Sequence, residues 1–172
     1  MSDIILSLDP GSVRSGYAVM EPPEKLLEAG LLLPDKRTAA SEFRIASMCR
    51  DLWGLLNKWQ PGTVVIEWVS GKVNPRRHKG GGQGLQVHGA ATGALWETAE
   101  QWRREHTESE VVLVPENTWT HGVPKVDRQV AVADLFPAYS IDQDCGADVA
   151  DGIGLALWYL REQKLELAKA TG

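Results

Sequence analysis

Asp9, Glu67, Asp148 and Asp151 are the residues whose types and settings could do chemistry. Asp9 closes the run Ile4-Ile5-Leu6-Ser7-Leu8, and Glu67 closes Val64-Val65-Ile66. Asp148 and Asp151 stand three apart in Ala147-Asp148-Val149-Ala150-Asp151-Gly152, at the front of the last helical stretch. Carboxylates at the ends of buried strands are costly unless something pairs with them. If the fold gathers the four, the natural partner is a pair of Mg²⁺ ions, which take oxygen ligands and keep several waters. The natural chemistry is phosphodiester hydrolysis, an in-line displacement between two ions about 4 Å apart. On this reading Asp9 bridges the ions, Glu67 holds one, and Asp148 and Asp151 close the other side, because positions i and i+3 share a helix face. Without metal, two such charges roughly 5 Å apart at an effective dielectric of about 20 repel by about 3 kcal/mol. Plainer roles exist for three of them. Asp9 before Pro10-Gly11 suits a turn, and acids in a first helical turn cap the helix or complement its dipole. A glutamate ending a Val-Val-Ile run has no comparable structural role.

The elements that must position these acids follow from periodicity. Residues 4–9, 16–20 and 26–33 read as three strands close enough for an antiparallel meander. A helix over 38–59 follows, with Ile45, Cys49, Leu52, Leu56 and Trp59 on one face and Pro61-Gly62 as its stop. Residues 63–67 form a fourth strand, 69–84 a basic glycine-rich loop, 85–104 a second helix and 111–114 a fifth strand. A short helix over 125–135 and a last helix from about 146 complete the chain. Crossover units after a meander predict a mixed five-stranded α/β sheet with helices on both faces. The fourth strand can then lie parallel beside the first, which sets Asp9 and Glu67 at the sheet edge where open α/β sheets bind ligands.

The 172 residues fit one domain, 1–172, with a full core. An apolar fraction of 43% beside 24% charged residues describes an ordinary globular chain and excludes a disordered one. Cys49 and Cys145 offer neither a disulfide framework nor a zinc spacing. With no signal-like start and no membrane-length apolar run, the expectation is a cytoplasmic protein. The net charge of −5 is not that of a typical DNA binder. Setting aside the four site acids brings it to −1, so local charge matters more than the total. Of seven tryptophans, Trp53, Trp59, Trp96, Trp102 and Trp158 fall in helical patterns that suit packing.

Three stretches resemble one known family. Ile4 to Ser12 followed by Gly16-Tyr17-Ala18-Val19 is similar to the opening of the RuvC-type Holliday junction resolvases, Val65-Ile66-Glu67 to their second acidic strand, and Gly146 to Ala156 to their closing motif. The order and approximate spacing agree along nearly the whole chain. The resemblance implies an RNase H-like fold, a homodimer, and nicking of opposed strands of a four-way DNA junction with two Mg²⁺ ions per subunit, Mn²⁺ substituting. It also implies a branch-migration helicase as a candidate partner, a source in a bacterium or its phage, and metal binding by Asp9, Glu67, Asp148 and Asp151. A family lysine near the scissile phosphate falls on Lys125, which otherwise reads as a surface residue at a helix start. Where the family carries an aromatic after the second acidic strand, this chain has Ser70, with Trp68 two residues earlier.

Lys72, Arg76, Arg77 and Lys79 follow with no intervening acid, either as a solvated loop or as phosphate contacts. Gly89 and Gly93, four apart among alanines, suit packing against the chain's own sheet or a dimer seam. The four histidines show no ligand spacing and read as surface or packing residues. Three rival readings share these features. One is another RNase H-like nuclease acting on branched DNA or on structured RNA, as the YqgF-type enzymes do. Another is an actin-like nucleotide-binding domain, and the third is a non-catalytic junction-binding module.

Overall fold

Side chains alternate faces along a strand. The first strand here is apolar on both faces, so it must be covered twice. The computed structural model describes residues 2–36, 39–68 and 81–171. Its centre is β1 (Ile5–Asp9), flanked on one side by β2 (Ser15–Glu21) and β3 (Lys25–Leu32) and on the other by β4 (Thr63–Trp68) and β5 (Glu110–Pro115). The meander is antiparallel, whereas β4 runs parallel to β1 and β5 parallel to β4. This is the mixed five-stranded sheet expected from the sequence.

One face carries Leu6, Leu8, Val64 and Ile66 against α1 (Ser41–Trp59) and α2 (Gly81–Glu105), which contribute Met48, Leu52, Leu56, Leu95 and Trp102. The other face carries Ile5, Ala18, Met20 and Val65 against Ala150, Ile153 and Leu157 of α5 (Asp148–Thr171) and Val132 of α4 (Lys125–Leu135). Parity then settles where the two strand-end acids go. Ser7 pairs with Val65 and Leu8 with Ile66, so Asp9 and Glu67 come next, side by side on adjacent parallel strands. Counting in twos from Ile5 and Val65, both side chains project toward α5.

Helix α5 lies directly on the strands. A Cβ on Gly16 would fall 1.7 Å from the Asp148 carbonyl oxygen, and one on Gly152 3.0 Å from the Tyr17 backbone. The buried Ser7 hydroxyl donates to the Gly152 carbonyl at 2.6 Å. The helix start is fixed from outside, since buried Asp144 accepts the Ala150 N–H at 2.9 Å and the Tyr139 hydroxyl at 2.8 Å through Oδ2.

Several boundaries differ from expectation. Helix α1 starts at Ser41, and α2 starts at Gly81, inside the stretch read as loop. A five-residue helix, α3 (Glu116–Thr120), and a 3-10 turn at Ile141–Gln143 were not anticipated, because neither is long enough to show a period. Among the described residues, a Cβ on Gly89 or Gly93 would meet nothing within 4 Å, so these glycines do not pack against the described sheet. Trp102 is a core residue, whereas Trp96 is 37% exposed and meets Trp68 edge-to-face at 6.2 Å. Ser70, Lys72, Arg76, Arg77 and Lys79 lie outside the described residues. Among the described residues no helix is long and apolar enough to cross a membrane.

Candidate active site

The four acids reach one place from three elements. Lys125, the first residue of α4, marks it. Its ammonium lies 2.9 Å from Asp148 Oδ1, 2.9 Å from Asp151 Oδ2 and 4.0 Å from Asp9 Oδ2. Arg14, on the turn after β1, donates from Nε to Asp148 Oδ2. Arg128, one helical turn after Lys125, donates from Nε to Asp151 Oδ1 at 2.9 Å. The indole N–H of Trp119 on α3 donates to Glu67 Oε2 at 2.7 Å. A cavity of about 300 Å³ opens beside Asp9, bounded by the 10–14 turn, His88, Lys125 and Asp148.

The electrostatics are those of crowded acids. Burial, then the charges of Glu67 and Asp151, push the Asp9 carboxyl well above the usual carboxylate range. Burial pushes Glu67 up to about 7, against the hydrogen bond from Trp119. Asp151 is also raised by burial, with Lys125 and Arg128 opposing. Burial counts against the Lys125 ammonium, yet Asp151 and Asp9 hold its proton more tightly than an ordinary lysine's.

The backbone has solved counterparts. Over 92% of this chain and 95% of the other, it superposes on RuvC of T. thermophilus, a structure determined in complex with Holliday junction substrate, with a TM-score of 0.68 at 17% identity. This is a RuvC-like fold. A yeast mitochondrial Holliday junction resolvase matches over 95% of this chain and 79% of its own, with a TM-score of 0.62 at 14% identity. In sequence, the crossover junction endodeoxyribonuclease RuvC of Prochlorococcus marinus is 34% identical over 68 residues. That match covers 37% of this chain and 43% of the relative, so the chain spans less than half the length of the curated relatives it matches. No protein-family model matches the chain. The likeness to RuvC in sequence and the mixed five-stranded α/β fold read from the sequence are both borne out.

Within this RuvC-like fold, Asp9, Glu67, Asp148, Asp151 and Lys125 are brought together. The donor set suits divalent metal, being all carboxylate oxygen, partly desolvated and short of positive charge at Asp9 and Glu67. Asp148 and Asp151 point their oxygens at the chain's own cations and Glu67 binds an indole N–H, and among the described residues no three acid, histidine or cysteine side chains are arranged to ligate one ion. Lys125 bridges Asp148 and Asp151, and Arg14 pairs with Asp148.

Sequence reasoning missed Arg14, His88, Trp119 and Arg128. Arg128 had a signal, since it lies three residues after Lys125 and therefore shares its helix face. His88, read as surface or packing, lines the cavity beside Asp9. Arg14 and Trp119 had none, because a turn and a five-residue helix carry no period.

Proposed function

We propose that this chain is a metal-dependent endonuclease that resolves four-way DNA junctions by paired nicks, working as a homodimer. The observation that carries this reading is the convergence of Asp9, Glu67, Asp148 and Asp151 around the Lys125 ammonium at one edge of a RuvC-like sheet. Those acids would hold two Mg²⁺ ions per subunit, with Mn²⁺ as a substitute. When bound, the ions supply activation of water and neutralisation of phosphate charge. The chain's own groups do the rest. Lys125 keeps its proton, and its ammonium is placed where it would meet a phosphate oxygen and stabilise charge gained on the way to the transition state. Arg14 is placed to do the same from the cavity rim. Lys72, Arg76, Arg77 and Lys79 follow Glu67 within a dozen residues, which favours a role in holding the phosphate backbone. A twofold dimer would match the twofold symmetry of a four-way junction and set two equivalent cuts.

Strand-specific mapping of cuts on a mobile four-way junction, with Mg²⁺, Mn²⁺ or EDTA, tests the reading. Symmetric nicks with either ion and none with EDTA are expected. A junction left intact under all cations, or cleavage of structured RNA in its place, would refute it.

A further inference from the structure

We propose that Trp119 and Arg128 form one bracket that sets the separation of the Glu67 and Asp151 carboxylates, and so the affinity of the site for divalent cations. This rests on the reading that the four acids hold metal, and adds to it two positioning residues. Glu67 is the next-to-last residue of β4 and Asp151 belongs to a helix, 84 positions later, so chain connectivity does little to hold their spacing. The same indole touches both halves of the problem. Trp119, only 5% exposed, gives its N–H to Glu67 Oε2 at 2.7 Å, and its ring lies 5.0 Å under the Arg128 guanidinium. Each guanidinium nitrogen of Arg128 in turn has a partner. Nε and Nη2 reach Asp151 Oδ1 at 2.9 Å each, and Nη1 reaches the Val123 carbonyl at 2.6 Å.

One oxygen of each acid is therefore tethered away from the centre. Asp151 Oδ2 is left free of Arg128 and meets Lys125 Nζ at 2.9 Å. Trp119 holds Glu67 by Oε2 alone, so the other Glu67 oxygen is not tied by that indole. Partners that hold a metal ligand by its spare atom fix its aim, and losing one typically costs 10–100-fold in metal affinity. The indole is itself seated by α5, because a Cβ on Gly154 would stand 3.0 Å from Trp119 Cζ3.

The test is Mn²⁺ binding to the full chain without DNA, read from the electron paramagnetic resonance of the free ion, with thermal unfolding in EDTA recorded for each protein. Trp119→Phe keeps an aromatic ring and loses the N–H. Arg128→Lys keeps the charge and loses the fork. Each is expected to weaken Mn²⁺ binding about tenfold or more. The double variant is expected to fall no more than about twofold below the weaker single one, as two parts of one device should. Gly154→Ala changes neither bracket residue and favours the helix by up to about 1 kcal/mol. It should nevertheless weaken Mn²⁺ binding by nudging the indole, with no loss of melting temperature in EDTA, an effect that a merely structural role would not give. Wild-type affinity in folded Trp119→Phe or Gly154→Ala overturns the bracket, as does full additivity in the double variant. If Trp119→Phe does not fold, Gly154→Ala decides. A wild-type chain that binds no Mn²⁺ overturns the metal reading and the bracket with it, which separates the two failures.

Discussion

Lys125 contacts two of the site acids within hydrogen-bond distance and a third at 4.0 Å, yet it leads a helix whose other first-turn side chains face solvent. Its stem lets a charge on α4 serve residues on β1 and α5. Lys125→Ala should therefore slow junction cutting by about 100-fold or more while leaving junction affinity within about twofold, measured by single-turnover cleavage beside gel-shift titration. Glu67 gives the opposite balance of stability and function. Its folded proton affinity corresponds to a value near 7 against an ordinary 4.5, mainly through burial. The folded state therefore binds this proton more tightly than the unfolded one. The resulting stabilisation is complete below about pH 4.5 and is lost as pH rises through about 7. The shift is worth on the order of 3 kcal/mol. Metal-free protein should melt lower at pH 8 than at pH 5, and Mg²⁺ should restore more at pH 8. Glu67→Gln should melt on the order of 5 °C higher than wild type at pH 8 in EDTA, and should not cut. A variant that melts lower than wild type at pH 8 would show that the buried carboxylate is not under electrostatic load.

Helix α5 brings half of the acids, so its seating decides the site. Asp144 secures the start of α5 and, through Tyr139 and Gln129, ties it to α4, whose first turn carries Lys125. Asp144→Ala leaves the Ala150 N–H and the Tyr139 hydroxyl without their acceptor and should cost about 1–3 kcal/mol, read as a fall in melting temperature of about 3–10 °C. Asp144→Asn keeps an acceptor oxygen and should recover most of it. The strands and long helices were legible because their apolar residues repeat at 2 or at 3 and 4. The meeting of Asp9 with Glu67 was legible from the crossover logic, but its face was not. Both faces of Leu6-Ser7-Leu8 are buried, so alternation could not say which side α5 would cover. The links through Arg14 and Trp119 were illegible for another reason. They depend on where a turn and a single helical turn land after the sheet has assembled, which no local pattern encodes.

At the scale of the whole molecule, the proposed binding and cutting should be separable. Arg76→Ala with Arg77→Ala should reduce the slope of log affinity against log salt by up to about 2, at roughly 0.9 per phosphate contact, with the acids untouched. An unchanged slope would remove those residues from the interface. Among the described residues, nothing stands within 4 Å above Gly89 and Gly93 of helix α2, beside exposed Leu85 and Trp96. If this is where two copies meet, Gly89→Arg should yield a monomer by sedimentation that still binds junctions and no longer makes paired cuts. Arg14, Lys125 and Arg128 lend the acid cluster a surrogate positive environment drawn from the polypeptide itself. Asp148 and Asp151 can therefore settle into place before any ion is loaded, while Asp9 and Glu67 keep the mutual repulsion that divalent charge would relieve. Ion supply would then govern when the protein cuts, not whether it folds.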